Sequence, residues 1–368
     1  MRFLYVTTIG LTFIFFKSTI KELIDAGHKV DIACNEDEFM VDDCYKSWGC
    51  KIHHISCTRS PLSKGSLKAV KELKKIVQQG GYDIVHCHTP VASVCTRVAC
   101  RGQRKKGLKV FYTAHGFHFY QGASKKSWLT FYPIERLCSF WTDTLITINH
   151  EDFERAKKRL HAKRVEYIPG VGLDVEKFSR VTVDRAEKRR ELGVPEDALM
   201  LISVGELNQN KNHEIVIRVL AQMDRPDIHY VIAGEGNIKE YLSRLAEESG
   251  IGSNVHLLGY RTDVPELYHS ADINILPSIR EGLPVSLMEA MACRLPCIAS
   301  RIRGCVDLID EEGGSTFSPL DPDECSAALN SVINRDFASM GDYNFKKIEG
   351  FSTQVVNRKL RSLYFEKG

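Results

Sequence analysis

Residues 277–300, PSIREGLPVSLMEAMACRLPCIAS, decide the fold of this 368-residue chain. The stretch starts at the end of an apolar, strand-like run, passes through a short loop into a helical pattern, and leads into another strand. Pro284 suits the first turn of the predicted helix, because its missing N–H costs nothing there. A strand, a helix and a second strand in this order indicate a parallel sheet whose crossover helices cover its faces.

The same alternation extends along the chain in both directions. Continuous runs rich in Val and Ile between helical patterns predict parallel strands that are buried on both faces. The predicted strands are 3–6, 30–34, 83–87, 110–113, 144–148 and 165–168, then 199–204, 229–233, 255–258, 273–276 and 296–299. The predicted helices are 19–26, 67–77, 91–100 and 128–140, then 212–223, 238–248, 264–270 and 284–292, with a last amphipathic helix at 351–365.

The segment Ile168-Pro169-Gly170-Val171-Gly172 separates the two series, because Gly and Pro punctuate a chain strongly. The length also exceeds one ordinary core and favours two domains. We therefore predict an α/β protein with two doubly wound, Rossmann-like domains, residues 1–172 and 173–350. The last helix, about 351–368, is expected to join the first domain. Ligands of such sheets bind at the carboxyl ends of the strands, so a cleft between two facing domains is the default active site.

The composition is that of a soluble globular protein, with 43% apolar residues, 26% charged residues and a mean hydropathy of −0.21. These values exclude a disordered or fibrous chain. The apolar run Phe3–Phe16 is interrupted by Thr and Gly and is followed by no cleavage site, so we interpret it as a first strand with its loop and expect a cytoplasmic chain. The twelve cysteines are expected to be buried thiols.

Several common catalytic motifs are missing from the sequence. It contains no GxxxxGK[ST], no complete GxGxxG, no GxSxG and no HExxH, which argues against a P-loop enzyme and an ordinary dinucleotide dehydrogenase. His86-Cys87-His88 could suggest a metal site, but alternate residues of a strand face opposite ways and cannot converge. No metal and no cofactor are therefore expected.

Two glutamates frame the predicted helix of the opening stretch. The N–H groups of Gly282, Leu283 and Val285 form an anion site at its start, which the helix dipole strengthens. A carboxylate beside a phosphate is unfavourable unless it accepts hydrogen bonds from hydroxyls, so Glu281 and Glu289 could hold sugars on either side of a diphosphate. The alternative is an ordinary acidic helix start with a solvated glutamate, and the bare spacing alone favours that alternative.

The spacing Glu281-x7-Glu289 within EGLPVSLMEAMA resembles the hallmark of glycosyltransferase family 4, retaining enzymes of the GT-B fold. The resemblance covers nearly the whole chain and is nearest in character to bacterial capsule and exopolysaccharide enzymes. Further segments resemble the family in order: YDIVHCH at 82–88, TAH at 113–115, YIPGVGLD at 167–174, VGEL at 204–207 with Lys211, IAGEG at 232–236 and LGYR at 258–261.

The resemblance implies a role for each matching position. Glu281 would bind donor-sugar hydroxyls at the reacting centre, Lys211 would neutralise the diphosphate, and His115 would contact the donor sugar from the first, acceptor-binding domain. Glu289 would hold the ribose in the second, nucleotide-sugar-binding domain. The other implied donor-binding residues are Gly10, Gly205, Asn208, Tyr260, Arg261, Arg280, Gly282, Leu283, Pro284 and Val285.

One position departs from the family. Glu206 stands where the family usually has Arg, and a carboxylate cannot neutralise a leaving diphosphate. Arg280 could supply the missing charge, and Asn208 or Asn210 could add hydrogen-bond donors. This departure makes Lys211 more critical.

The charge is divided unequally along the chain. Residues 1–172 carry 27 Lys and Arg against 16 Asp and Glu, a net +11, so the remainder carries −8 of the overall +3. Basic clusters beside exposed aromatic residues suit an anionic membrane surface. Solvated helix faces are the commoner alternative, and nucleic acid is a poor one without a binding motif. The clusters are Lys64, Lys68, Lys71, Lys74 and Lys75; Arg101, Arg104, Lys105, Lys106 and Lys109; and Lys125 and Lys126 beside Trp128, Phe131 and Tyr132.

The implied reaction is the retaining transfer of a hexosyl or N-acetylhexosaminyl group from a UDP-sugar. The expected acceptor is a polyprenyl-diphosphate-linked sugar of surface polysaccharide synthesis, met at the inner face of the cell membrane. Two alternatives stay open: a nucleotide-sugar-binding scaffold without catalysis, which Glu206 supports, and a GT-B-fold UDP-sugar epimerase.

Overall fold

Two all-parallel sheets form the framework of the chain, whose computed structural model describes residues 1–58, 60 and 63–366. One unit comprises Met1–Gly172 and the described residues from Thr353 onward, and the other comprises Leu173–Ser352. The predicted pair of doubly wound α/β domains is confirmed. No helix of the described part is long and apolar enough to cross a membrane.

The first sheet has seven strands in the order β3-β2-β1-β4-β5-β6-β7. Its strands are β1 (Arg2–Ile9), β2 (Lys29–Asn35), β3 (Ile52–His54), β4 (Ile84–His88), β5 (Lys109–Ala114), β6 (Thr144–Thr147) and β7 (Arg164–Tyr167). Its helices are α1 (Lys17–Asp25), α2 (Cys44–Ser47), α3 (Lys64–Gly80), α4 (Pro90–Cys100), α5 (Lys125–Ser139) and α6 (His150–Arg159), with 3-10 turns at Gly10–Phe16 and Arg104–Lys106.

The second sheet has six strands in the order β10-β9-β8-β11-β12-β13. Its strands are β8 (Leu199–Val204), β9 (Ile228–Ala233), β10 (Val255–Gly259), β11 (Ile273–Leu276), β12 (Cys297–Ser300) and β13 (Gly314–Phe317). The helices of this unit are α7 (Val175–Ser179), α8 (Arg185–Glu191), α9 (His213–Met223), α10 (Lys239–Glu248), α11 (Val264–Ser270), α12 (Val285–Ala292), α13 (Cys305–Leu308), α14 (Pro322–Ile333) and α15 (Phe337–Ile348), with 3-10 turns at Gly252–Asn254 and Glu349–Phe351.

Each sheet contains one point where the strand order reverses. It lies between β1 and β4 in the first sheet and between β8 and β11 in the second. The loops that leave the two strands at such a point turn in opposite directions and open a crevice at their carboxyl ends, which is where doubly wound folds bind ligands.

The strands β3 and β13 were not predicted. Both are short and lie at sheet edges, and neither has the continuous apolar run of the inner strands. Two other expectations shift locally: the loop after β1 forms a 3-10 helix, and Pro284 is the extended N-cap of α12 instead of its first helical residue.

The final helix α16 (Thr353–Phe365) is joined to the first sheet by buried hydrogen bonds. The hydroxyl of Tyr364 lies 2.6 Å from that of Tyr5 and 2.5 Å from Nδ1 of His86. Thr19 donates to the side-chain oxygen of Asn357 at 2.6 Å. These bonds link α16 to β1, β4 and α1, so the end of the chain completes the first unit.

The aromatic residues of α5 are not exposed beside its lysines, contrary to the prediction. Trp128, Phe131 and Tyr132 are half-buried and pack against the core of the first unit. The rings of Trp128 and Tyr132 lie 5.6 and 5.3 Å from that of buried Phe119. The prediction of exposed aromatics is therefore wrong, because helical periodicity alone did not show which face of α5 meets the core.

Gly10 has a packing role that the sequence did not reveal. It is buried, and a Cβ there would lie 2.3 Å from the carbonyl oxygen of Phe39. The absent side chain therefore lets the loop after β1 lie directly on the segment that follows β2. Its implied contact with a diphosphate stays a prediction.

We expect Gly10→Ala to destabilise the protein by about 1–3 kcal/mol, because backbone must move to relieve the clash. Thermal unfolding without ligand measures the effect. Gly102→Ala is the matched control, since among the described residues no heavy atom lies within 4 Å of the position its Cβ would take. Equal midpoints for the two variants would contradict the packing role.

Candidate active site

An ion pair lies where the strand order of the second sheet reverses. Lys211 follows β8 and Glu281 follows β11, and Nζ of the lysine lies 2.8 Å from Oε1 of the glutamate. Their side chains are only 18% and 15% exposed. The structure thus brings together the two residues of the second unit to which the sequence analysis assigned catalysis.

The loop that carries Glu281 is held from both sides by hydrogen bonds. On one side the N–H of Ile279 donates to the carbonyl of Asn210 at 2.8 Å, and the amide of Asn210 donates to the carbonyl of Arg280 at 2.9 Å. On the other side Nε of Arg303 donates to the carbonyl oxygen of Glu281 at 2.9 Å. The conformation of the loop is therefore fixed by two further segments of the chain.

Glycines let these loops approach one another closely. A Cβ on Gly234 would lie 1.8 Å from the carbonyl oxygen of Gly205, and one on Gly304 would lie 2.2 Å from that of Gly282. The Gly205 position also adjoins Lys211, whose Cε would be 3.0 Å away from a Cβ there. The implied donor-binding position Gly205 therefore packs against the site lysine and the neighbouring loop.

The start of α12 lies directly after this loop. Pro284 is its N-cap and has no side-chain oxygen with which to cap the helix. The N–H groups of the first helical turn have no earlier carbonyl within the helix to bond. Together with Gly282 and Leu283, they offer backbone donors and the positive end of the helix dipole to an anion.

Glu289 lies on α12, in an environment less polar than that of the paired Glu281. Burial raises the pKa of its carboxyl group to about 7, while the charge of Lys177 acts in the opposite direction. A carboxyl group whose desolvation is so poorly compensated is suited to accept hydrogen bonds from hydroxyl groups that a ligand supplies.

The remaining predicted residues of the second unit differ in exposure and in hydrogen-bond partners. Tyr260 is 73% exposed. The guanidinium of Arg261 is paired with Asp263 at 2.7 Å and with Glu191 at 2.7 Å, so it already has carboxylate partners. The side-chain oxygen of Asn208 accepts the N–H of Lys211 at 3.0 Å. Glu206 and Arg280 are both exposed.

His115 belongs to a cluster of histidines in the first unit. Its Nε2 lies 3.1 Å from Nδ1 of His88, and the ring of His88 lies 4.2 Å from that of His86. Burial lowers the pKa of His115 to about 4 and that of His86 to about 3, and the pKa of His88 is also well below its usual value. All three imidazoles are therefore neutral at pH 7, and His115 can offer a sugar a hydrogen bond but no charge.

Sequence reasoning missed two residues that hold site residues in place. Arg303 and His88 contact the predicted residues Glu281 and His115. The sequence pattern pointed to His88 as part of a rejected metal site, and its buried Nε2 has no hydrogen-bond partner in the described residues. A signal for Arg303 was its place just after a strand end, but the sequence does not show where its side chain points.

Two family models match the chain, one in each half. Residues 14–176 match "Glycosyltransferase Family 4", and residues 184–345 match "Glycosyl transferases group 1". The two matches cover most of both units.

Curated relatives carry corresponding names. The chain is 42% identical to "Putative glycosyltransferase EpsD" of Bacillus subtilis over 71% of this chain and 70% of that protein. It is 28% identical to "UDP-Gal:alpha-D-GlcNAc-diphosphoundecaprenol alpha-1,3-galactosyltransferase" of Escherichia coli, over 92% and 89% of the two chains.

Among solved structures, HepE of Anabaena in complex with UDP is similar to this chain. The TM-score is 0.81 at 18% sequence identity, over 99% of each chain. At that identity the likeness shows the fold, which agrees with the predicted GT-B class. From these family matches and the sequence identity to EpsD, we conclude that the chain belongs to glycosyltransferase family 4 and is a glycosyltransferase of the GT-B fold.

Proposed function

We propose that the enzyme transfers a sugar from a UDP-sugar, with retention of configuration, to a polyprenyl-diphosphate-linked glycan of surface polysaccharide synthesis. The observation that carries the proposal is the Lys211–Glu281 pair beside the start of α12. A cation, a run of backbone N–H groups and a carboxylate at one point of a sheet suit a diphosphate that is attached to a sugar.

Binding of the donor is proposed to break the ion pair between Lys211 and Glu281. Lys211 would turn to the diphosphate, and Glu281 would accept hydrogen bonds from the donor sugar in exchange. Glu289 would accept the ribose hydroxyls, and the N–H groups of Gly282, Leu283 and Val285 would bind phosphate oxygens. His115 is proposed to contact the donor sugar as a neutral donor or acceptor.

The proposed step breaks the bond between the anomeric carbon and the diphosphate oxygen. The acceptor oxygen forms the new bond on the same face, and its proton passes to the departing phosphate oxygen, the route that the family resemblance implies. The main task of the protein is then to stabilise charge on the leaving group and to hold the acceptor hydroxyl on the face from which the diphosphate departs. Metal independence stays a prediction.

Two relatives support the choice of donor and acceptor. The name of the Escherichia coli relative gives a UDP-galactose donor and a diphosphoundecaprenol-linked acceptor, and the Anabaena structure contains UDP. The proposed place in surface polysaccharide synthesis rests on the sequence resemblance to bacterial capsule and exopolysaccharide enzymes. We propose three properties for this chain: a UDP-sugar donor, a polyprenyl-diphosphate-linked acceptor and a place in surface polysaccharide synthesis.

The first unit is proposed to contact an anionic membrane surface through two helices. All five lysines of α3 are exposed, and α5 exposes Lys125 and Lys126 together with Leu129, which is 79% exposed. Both helices pack against α4, so they lie on the same side of the first sheet. Exposed Leu129 and Leu137 take the place of the inward-packed aromatics as the apolar residues that could enter the lipid.

We expect Glu281→Ala and Lys211→Ala each to lower turnover by roughly 10² to 10³, because each removes stabilisation of the reacting sugar or the leaving diphosphate. Release of free UDP in the presence of acceptor measures turnover. Glu214→Ala and Arg218→Ala are the controls, since they break an exposed ion pair of the same unit. Activity close to wild type in both site variants would contradict the assignment.

Donor affinity should fall as the pH is lowered through about 7, the pKa of unliganded Glu289. Protonation removes the negative charge that makes this carboxylate a strong acceptor for ribose hydroxyls, and the loss of affinity is at most about tenfold per pH unit below the pKa. Calorimetry with UDP between pH 6 and 8 measures it. The terminal phosphate of UDP also titrates near pH 6, so the test is the difference from Glu289→Gln, which lacks the carboxylate. The same pH dependence in both proteins would refute the role of Glu289.

We expect the protein to sediment with vesicles that contain anionic lipid and to remain free of neutral ones. Each lysine near the surface contributes about 1 kcal/mol, so reversing Lys125 and Lys126 to Glu should weaken binding strongly. Lys239→Glu on the second unit is the control, and added salt should weaken wild-type binding. Equal binding to both vesicle types, or to neither, would favour a soluble acceptor.

A further inference from the structure

We propose that Arg303 is a positioning residue that strengthens the diphosphate site through the Glu281–Gly282 peptide bond. Its cation binds the carbonyl of this peptide and thereby makes the N–H of Gly282 a better donor to phosphate. The inference rests on the proposed function, because it concerns the phosphate-bearing part of that donor.

The contacts place Arg303 behind the site loop. Nε of Arg303 donates to the carbonyl oxygen of Glu281 at 2.9 Å, and only 6% of the residue is exposed. The next residue, Gly304, approaches the following carbonyl so closely that a Cβ would lie 2.2 Å from the oxygen of Gly282. The segment after β12 therefore lies directly against the loop that leads into α12.

The geometry of a peptide bond connects the two sides of this loop. In a trans peptide the C=O of Glu281 and the N–H of Gly282 lie in one plane and point in opposite directions. A hydrogen bond from a cation to the carbonyl is stronger than one from a neutral donor. In a low-dielectric environment it also polarises the group, which strengthens the hydrogen bond on the opposite side.

The charges of the site show why a stronger N–H donor at Gly282 would matter for binding a diphosphate. The charge of Lys211 is shared with the Glu281 carboxylate at 2.8 Å, and Glu206 occupies the position where the family usually has Arg. The guanidinium of buried Arg303 is a further cation of this unit, and it contacts the main chain of the site loop directly. In the sequence analysis the missing charge was assigned to Arg280, whose side chain is exposed to solvent and hence more strongly screened.

The test compares UDP with uridine, which lacks the phosphates, by calorimetry on the full chain. Arg303→Gln should weaken UDP binding roughly tenfold, the loss typical of a residue that acts through a ligand-binding group. It should leave uridine affinity unchanged. Arg303→Lys, which keeps the charge, should lose clearly less UDP affinity than Arg303→Gln. Arg280→Gln should lose less than Arg303→Gln.

Arg301→Gln is the matched control. Arg301 lies two residues away, is 53% exposed and pairs with Glu324 at 2.6 Å, so its loss should change neither affinity. Thermal unfolding without ligand shows whether each variant is folded. If Arg303→Gln is not, a loss of UDP affinity of about tenfold or more in Arg303→Lys, or a larger loss in Arg280→Gln than in Arg303→Lys, overturns the inference.

Several results would overturn the inference. They are unchanged UDP affinity in Arg303→Gln, an equal loss of UDP and uridine, a loss in Arg303→Lys as large as in Arg303→Gln, or a larger loss in Arg280→Gln. If wild-type protein binds no nucleoside diphosphate, the proposed function itself fails and the inference fails with it. Normal wild-type binding that does not depend on Arg303 rejects the inference alone.

Discussion

The placement of Glu281 is the constraint on which the candidate site depends. Its carboxylate is paired with Lys211, and its main-chain carbonyl is bound by Arg303. The pairing is possible because the strand order reverses between β8 and β11, which brings the loops after these strands together. Removing one member of a poorly solvated ion pair leaves the other charge uncompensated, so a ligand that separated Lys211 from Glu281 would have to offer each of them a new partner.

The two glutamates of the family pattern meet different electrostatic environments. Glu281 has a cation at 2.8 Å, whereas burial of Glu289 raises its pKa to about 7. The carboxylate of Glu281 is thus paired with a cation of the protein, whereas the burial of Glu289 is opposed only by the charge of Lys177. Environments that separate similar groups in this way are typical of sites where they perform different tasks.

In the first unit, burial keeps His115 and the two histidines next to it neutral. The neutral imidazoles of His86 and His88 lie behind His115, and the hydroxyl of Tyr364 from the last helix binds His86. The end of the chain therefore helps to define the surroundings of a residue that lies 249 positions earlier. A neutral histidine is suited to sugar hydroxyls, while the cations Lys211 and Arg303 belong to the second unit.

The sequence by itself determined the class of fold, most inner strands and the family, because continuous apolar runs and ordered motifs are local properties. It also identified Glu281, Glu289 and Lys211 by their match to a family pattern. It missed β3 and β13, since short edge strands bury little apolar surface and leave a weak pattern. Only the tertiary structure decided that Trp128 packs inward, that Gly10 accommodates the carbonyl of Phe39, and that Arg303 reaches the carbonyl of Glu281. The physical reason is that these outcomes depend on which segments meet across the fold, and contacts between residues distant in sequence leave no local pattern.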